Sequence, residues 1–235
     1  MHRNRPDVVI NCAGYHPSAG AAQSETDMAY KVNAVGARNL AQSAESIQAK
    51  LIQISTDDVF SNASDTPYNE FDDVNPVGLF AKSKYAGEKF VIQLMTRYVI
   101  IRSSWIYGIG KDFLNEVLEA AADPKVSTME LWNNDRAVPT SAAELARVVK
   151  FFIDNDHYGI YHAVCSGGSC TRLEFAEEIL RLAGKEDQLT VTVKDRAPEK
   201  YSVLDNMMLR LNGIEEPDDW RETLAAYMNE TGGLE

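Results

Sequence analysis

Three short runs, "DVVINCA" (residues 7–13), "KLIQIST" (50–56) and "YVIIRSSWIYG" (98–108), constrain this chain more than any other feature. Each is apolar, rich in β-branched residues, and bounded by small or polar positions, as a buried strand is. Helix-like segments separate them, and strands alternating with helices indicate a parallel sheet covered on both faces. The expected fold is α/β, a doubly wound, Rossmann-like parallel sheet.

The helical segments read as follows. "SETDMAYKVNAVGARNLAQSAES" sets Met28, Val32, Val35, Leu40 and Ala44 at roughly helical spacing, and Ser24-x-x-Asp27 suits an N-cap followed by first-turn acid. "VGLFAKSKYAGEKFVIQLM" and "KDFLNEVLEAAA" are helices, and "MELWNN" is a short fourth strand. Beyond about residue 140 the pattern loosens. "TSAAELARVVKFFIDN" is a helix opened by Thr140 or Ser141, and "GIYHAVCS" a strand. "TRLEFAEEILRLAG" is a helix with capping box Thr171-x-x-Glu174 and terminating Gly184; "LTVTVKD" is a strand and "DDWRETLAAYMNE" a closing helix. Residues 1–140 are expected to form an amino-terminally truncated Rossmann-like domain and 141–235 a smaller carboxy-terminal α/β lobe, with segments interleaved between them.

With 235 residues, 45% of them hydrophobic, the chain can bury a core as one domain or one domain with a small appendage. A formal net charge of -12 repels phosphate backbones and anionic lipid, so neither nucleic acid nor membrane is an expected partner. No apolar run is long enough to span a bilayer, and "MHRNRPDVVINCAG" lacks a secretory core and cleavage site, which points to the cytoplasm. Cys12, Cys165 and Cys170 are too few for a disulfide framework. In "HAVCSGGSC", His162, Cys165 and Cys170 offer three zinc ligands but no fourth lies close by, so the run reads as a strand and its exit, and no metal is expected.

"VVINCAGY", "ISTDDVF", "YNEFDDVNPVGLFAKSKYAGE" and "IRSSWIYG" occur in this order, followed by "AVPTSAAELA", "GIYHAVCSG" and "YSVLDN". Together they resemble the extended short-chain dehydrogenase/reductases, and most closely the dTDP-4-dehydrorhamnose reductases. The resemblance implies hydride transfer from NADPH or NADH to the keto carbon of a nucleotide-linked sugar. A tyrosine hydroxyl protonates the developing alkoxide, a lysine lowers the tyrosine pKa and holds the nicotinamide ribose, and a serine or threonine orients the carbonyl. It implies Thr56 in the hydroxyl position, Lys84 in the lysine position, and substrate contacts from Asp57, Asp58, Trp105 and Arg196. Cofactor contacts fall to Cys12, Ala13, Gly14, Asn33 and Lys84.

The chain departs from that pattern in ways that bear on activity. Phe80 stands where the resemblance calls for the tyrosine, and a phenyl ring has no proton to give. No G-x-x-G-x-x-G precedes "DVVINCAG", so the sheet is expected to be amino-terminally truncated, without the turn that receives the pyrophosphate. The acidic residues expected after "AAY" give way to "HPSAGAAQ", and the arginine expected just before "YSVLDN" is displaced to Arg196. The implied function is an impaired NAD(P)H-dependent reductase. The alternative is a non-catalytic sugar-nucleotide-binding or regulatory subunit on the same scaffold, as the regulatory subunit of methionine adenosyltransferase is. A first strand without a neighbour on one side invites pairing, so a homo-oligomer or a partner chain covering that edge is expected.

Overall fold

The structure, a computed structural model, describes residues 4–18, 20, 22–60, 64–132, 135–194 and 200–231. The chain opens with β1 (Val8–Asn11), then a helical stretch made of α1 (Gln23–Ala29), a π-helical segment (Tyr30–Gly36) and α2 (Ala37–Glu45). Next come β2 (Lys50–Thr56), a 3-10 turn (Asp57–Val59), α3 (Leu79–Leu94) and β3 (Tyr98–Ser103). After β4 (Ile106–Tyr107) follow α4 (Phe113–Ala122), β5 (Thr128–Trp132), β6 (Asp135–Ala137), β7 (Thr140–Ser141) and α5 (Ala142–Asp154). The chain continues through β8 (Gly159–His162), β9 (Cys170–Thr171), α6 (Arg172–Ala183), β10 (Thr190–Lys194), β11 (Lys200–Tyr201), α7 (Met207–Leu211) and α8 (Trp220–Thr231).

The main sheet has the order β1-β2-β3-β8, all parallel. Its central strands are buried on both faces, which is why "KLIQIST" and "YVIIRS" do not alternate cleanly between apolar and polar and why even their polar side chains lie inside. Two polar side chains inside β2 are spent on fixed partners. Gln53 accepts from Asn11 Nδ2 at 2.7 Å, and the Lys50 ammonium donates to the carbonyls of Phe152 and Asn155 at 2.8 and 2.5 Å, satisfying the end of α5. One face is closed by Ala37, Ala41 and Ala44 of α2 against Leu51, Val91 and Ile100, small residues that let α2 and α3 lie close. The other face holds Ile52, Val99, Ile101, Val148 and Phe152.

A second, larger core gathers Phe60, Tyr107, Leu114, Phe175, Ile179 and Trp220 beyond the carboxyl end of the sheet. Around it stand the small sheets β10-β5, β11-β6-β9 and β4-β7.

Several local expectations change. The first helix is capped by Ala22, not Ser24, which lies inside the helix, and no side chain caps it. "MELWNN" supplies β5, which pairs with β10 and not with the main sheet; the fourth main-sheet strand is β8. "YVIIRSSWIYG" breaks after Ser103 because Trp105 takes a left-handed backbone (φ 41°), a conformation no strand interior accepts. Ser141, rather than Thr140, caps α5 by accepting from Ala143 N. The capping box of α6 and its left-handed Gly184 stand where the spacing put them. Among the described residues, no helix is long and apolar enough to cross a membrane.

Candidate active site

Parallel strands deliver the residues that follow them to one edge, and open α/β sheets bind ligands there. Asn11, Thr56 and Ser103 end β1, β2 and β3, and Thr56 is in register with Ser103. The segments Cys12–Gly14, Asp57–Asp58 and Ser104–Trp105 therefore emerge side by side.

Thr56 is nearly buried and caps the 3-10 turn: its Oγ1 accepts from Asp58 N at 3.2 Å and donates to Asp57 Oδ1 at 3.1 Å. Asp57 is buried, and burial together with the neighbouring Asp58 charge pushes its pKa up to about 6, only partly offset by Lys200. Asp58 is bound to Lys200 Nζ at 2.7 Å. Burial alone pulls the Lys200 pKa down, but the carboxylates of Asp58 and Asp57 outweigh it and raise it.

Lys84 lies four residues after Phe80 on α3, one turn further along the same helix face. Its ammonium is buried and donates to the Ile54 carbonyl at 2.8 Å, two residues before Thr56. Burial lowers its pKa, with Glu88 and Cys12 acting in the opposite direction. Phe80 is half-buried and stacks on the His16 imidazole with ring centroids 4.3 Å apart.

Cys12, Ala13 and Gly14 are exposed, and the space over the Gly14 Cα is open, so a flat ligand can lie against this backbone. Asn33 is buried rather than open to a ligand. Its amide is spent on both backbone groups of Tyr15, at 2.7 and 2.8 Å, and on Ser83 Oγ at 2.9 Å, so it positions the loop after β1 against α3. Trp105 is half-buried, stacked beside Phe175 and covered by the Arg172 guanidinium at 3.8 Å from its ring centroid. Arg196 lies outside the described residues.

Sequence reasoning missed two of these. His16 follows the "NCAGY" stretch and carried no motif of its own; the signal was its place on the loop that β1 sends into the site. Arg172 lies between the rings of Trp105 and Phe113, with its carbon 3.8 and 4.5 Å from their centroids, and no hydrogen bond or ion pair occupies it among the described residues. Burial pulls its pKa down to about 10, against the pull of Asp57 and Asp135. It was hidden because it is the first residue of an ordinary capped helix.

His162, Cys165 and Cys170 are all buried. The imidazole Nδ1 of His162 faces the carbonyls of Tyr68 and Asp205, both at 3.1 Å, and burial pushes its pKa down to about 3. Among the described residues no cluster of three or more His, Cys, Asp or Glu side chains is placed to hold a metal.

Fold and site together are those of a Rossmann-like α/β protein of the short-chain dehydrogenase/reductase type. Residues 1–232 match the RmlD substrate binding domain. The chain belongs to that family, the dTDP-4-dehydrorhamnose reductase-like proteins. It is 34% identical over 232 residues to the spore coat polysaccharide biosynthesis protein SpsK of Bacillus subtilis, covering 96% of this chain and 80% of that one. It is 32% identical to dTDP-4-dehydrorhamnose reductase of Mycobacterium tuberculosis, covering 94% and 76%. Among solved structures it is similar to the Bacillus anthracis dTDP-4-dehydrorhamnose reductase in complex with NADP (TM-score 0.91, 35% identity, 98% of this chain and 82% of that one). The Clostridium acetobutylicum enzyme is similar at TM-score 0.90 and 38% identity, with 98% and 83% covered.

Proposed function

We propose that this protein binds a nucleotide-linked 4-keto sugar and NAD(P)H at the carboxyl end of the main sheet and reduces the sugar slowly. One observation carries this reading: α3 and β2 bring Thr56 and the buried Lys84 ammonium to one edge, with Phe80 one turn before Lys84. In this reading Thr56 orients the sugar carbonyl, Lys84 holds the nicotinamide ribose, and the open backbone at Cys12–Gly14 lies against the rest of the cofactor. The NADP complex of the Bacillus anthracis relative supports a nicotinamide cofactor, which supplies the hydride when bound. Arg172, a guanidinium between two rings whose donors have no partner among the described residues, is suited to the sugar-linked diphosphate.

Loss of a positioned acid lowers a rate by roughly 10²–10⁴, and Phe80 is that loss. It is also the observation that favours the second reading, a sugar-nucleotide-binding or regulatory protein without turnover. Calorimetric titration with NADPH and with a dTDP-sugar, followed by NADPH consumption on dTDP-4-dehydrorhamnose, separates the two. Binding of both ligands with slow turnover, raised in Phe80→Tyr, supports the reductase; sugar-nucleotide binding with no turnover in either form supports the second. The outer edge of β1 has no paired strand among the described residues, and Ile10 on it is 44% exposed. We read that edge as covered by another chain, and a sedimenting monomer at micromolar concentration would count against it.

A further inference from the structure

We propose that His16 is the general acid of this site, delivering the proton that Phe80 cannot. The inference rests on the reductase reading above and deepens it. The Phe80 ring lies half-open at the start of α3, and its stacking partner is the imidazole of His16, at 4.3 Å between centroids and 30° between planes. The imidazole thus lies against the ring that carries no hydroxyl, within a few ångströms of the position 80 side chain.

This contact is built into the fold on both sides of His16. The preceding residue, Tyr15, has both backbone groups tied to the buried amide of Asn33, which in turn binds Ser83 on α3. Ser83 lies between Phe80 and Lys84, and its hydroxyl also donates to the Phe80 carbonyl at 2.8 Å. On the far side, Ser18 donates to Glu25 through N at 3.2 Å and through Oγ at 2.6 Å, and the Tyr15 hydroxyl donates to the same carboxylate at 3.3 Å. Asn33 thereby ties the loop carrying the imidazole to α3, the helix of Phe80 and Lys84, while Glu25 ties it to α1.

The ring nitrogens are suited to the task. Nδ1 lies 3.3 Å from the Pro17 carbonyl and donates to it, while Nε2 meets no protein partner among the described residues and the residue is exposed. Histidine is the side chain that exchanges a proton near neutral pH, and an Nδ1–H donating to the Pro17 carbonyl leaves Nε2 for that exchange. When hydride reaches the keto carbon, the C=O π pair becomes an alkoxide lone pair. That oxygen takes the Nε2 proton of the imidazolium, the sugar leaves as the alcohol, and the ring remains as the neutral Nδ1–H form until water returns a proton. The hydride would come from the NAD(P)H that the proposed function places at this edge, which would leave oxidised.

The test is a four-form comparison of NADPH consumption on dTDP-4-dehydrorhamnose: wild type, His16→Gln, Phe80→Tyr and the double variant. His16→Gln is expected to lower wild-type kcat by about 100-fold or more, and to change the Phe80→Tyr form by no more than about threefold, because the phenol then supplies the proton. A wild-type loss below about threefold, or the same loss in both backgrounds, overturns the proposal as a packing effect. A slow wild-type rate that His16→Gln leaves unchanged overturns it while the reductase reading stands; no turnover in wild type, with or without turnover in Phe80→Tyr, overturns both. Independently of turnover, the His16 ring-proton resonance is expected to shift on adding dTDP-rhamnose without cofactor, and a resonance that does not move refutes contact with the sugar. Because His16 is exposed, its replacement leaves the melting temperature in place, which circular dichroism checks.

Discussion

Glu88 and Arg102 form a two-pronged ion pair between α3 and β3, with Oε1 and Oε2 accepting at 3.1 and 2.8 Å and both residues buried. The guanidinium also lies over the Phe60 ring at 5.3 Å. This pair fixes the helix carrying Phe80 and Lys84 to the sheet from which Thr56 emerges. Removing one partner strands a buried charge, so Glu88→Ala is expected to cost about 3–5 kcal/mol in urea denaturation. The double variant Glu88→Met with Arg102→Met is expected to recover most of that, since two apolar side chains leave no orphan. A single variant as stable as wild type would show that the pair contributes nothing.

Two glycines of the helical layer are expected to answer the same substitution with opposite signs. A Cβ on Gly87 of α3 would meet the Asn33 carbonyl oxygen at 2.3 Å, a backbone atom that cannot move aside. Gly87→Ala therefore overpacks the α3 contact by about 1–3 kcal/mol and disturbs the Asn33 clamp. A Cβ on Gly36 meets only the Lys31 carbonyl at 3.6 Å, an ordinary contact. Gly36→Ala is expected to stabilise by about 0.5–1 kcal/mol, the helix propensity difference. Thermal melts of both variants decide it.

The sheet was legible because β2 and β3 are short, rich in Ile and Val, and separated by helix-length segments, the combination that marks strands of a parallel sheet buried on both faces. α6 was legible to the residue, since Thr171, Glu174 and Gly184 act through local backbone geometry alone. What stayed hidden depends on distant contacts. The pairs β6 with β9 and β11 with β6 are each two residues long, and nothing in so short a run distinguishes it from a loop. The partners of His16 and Arg172 come from α3, the turn between β3 and β4, and α4, and a stacking contact across the fold leaves no periodic trace. Thr56, Lys84 and Trp105 were found through motif resemblance, and their physical surroundings became readable only once the strands were in register.

Arg172 gives a binding prediction. Its guanidinium carbon lies 3.8 and 4.5 Å from the Trp105 and Phe113 ring centroids with its donors unspent among the described residues, so it presents a charged fork whose position the two rings restrict. Arg172→Ala is expected to weaken dTDP-sugar binding about 10- to 100-fold by calorimetry, the worth of a hydrogen bond to a charged group. Arg172→Lys is expected to recover little, because an ammonium neither stacks nor forks. Unchanged affinity in the alanine variant would remove the residue from the ligand site.

Asp57 and His162 are buried titratable groups with opposite effects on acid stability. The Asp57 carboxyl is raised to about 6 by burial and the Asp58 charge. Between about pH 4 and 6 the native state therefore keeps a proton that the unfolded chain has released, and stability falls as pH rises. The His162 imidazole is lowered to about 3 by burial and the Arg102 charge. Between about pH 3 and 6.5 the unfolded chain holds a proton that the native state refuses, and stability rises with pH. In wild type the two slopes oppose one another between pH 4 and 6, each reaching at most ~1.4 kcal/mol per pH unit. Asp57→Asn is expected to uncover a steep rise in the urea midpoint across that window, and His162→Gln, whose amide can still donate to the Tyr68 or Asp205 carbonyl, to uncover a fall. Below about pH 4 only the histidine effect remains, so wild type loses stability there and His162→Gln loses less. Parallel pH profiles for all three forms would show that neither group titrates as its burial demands.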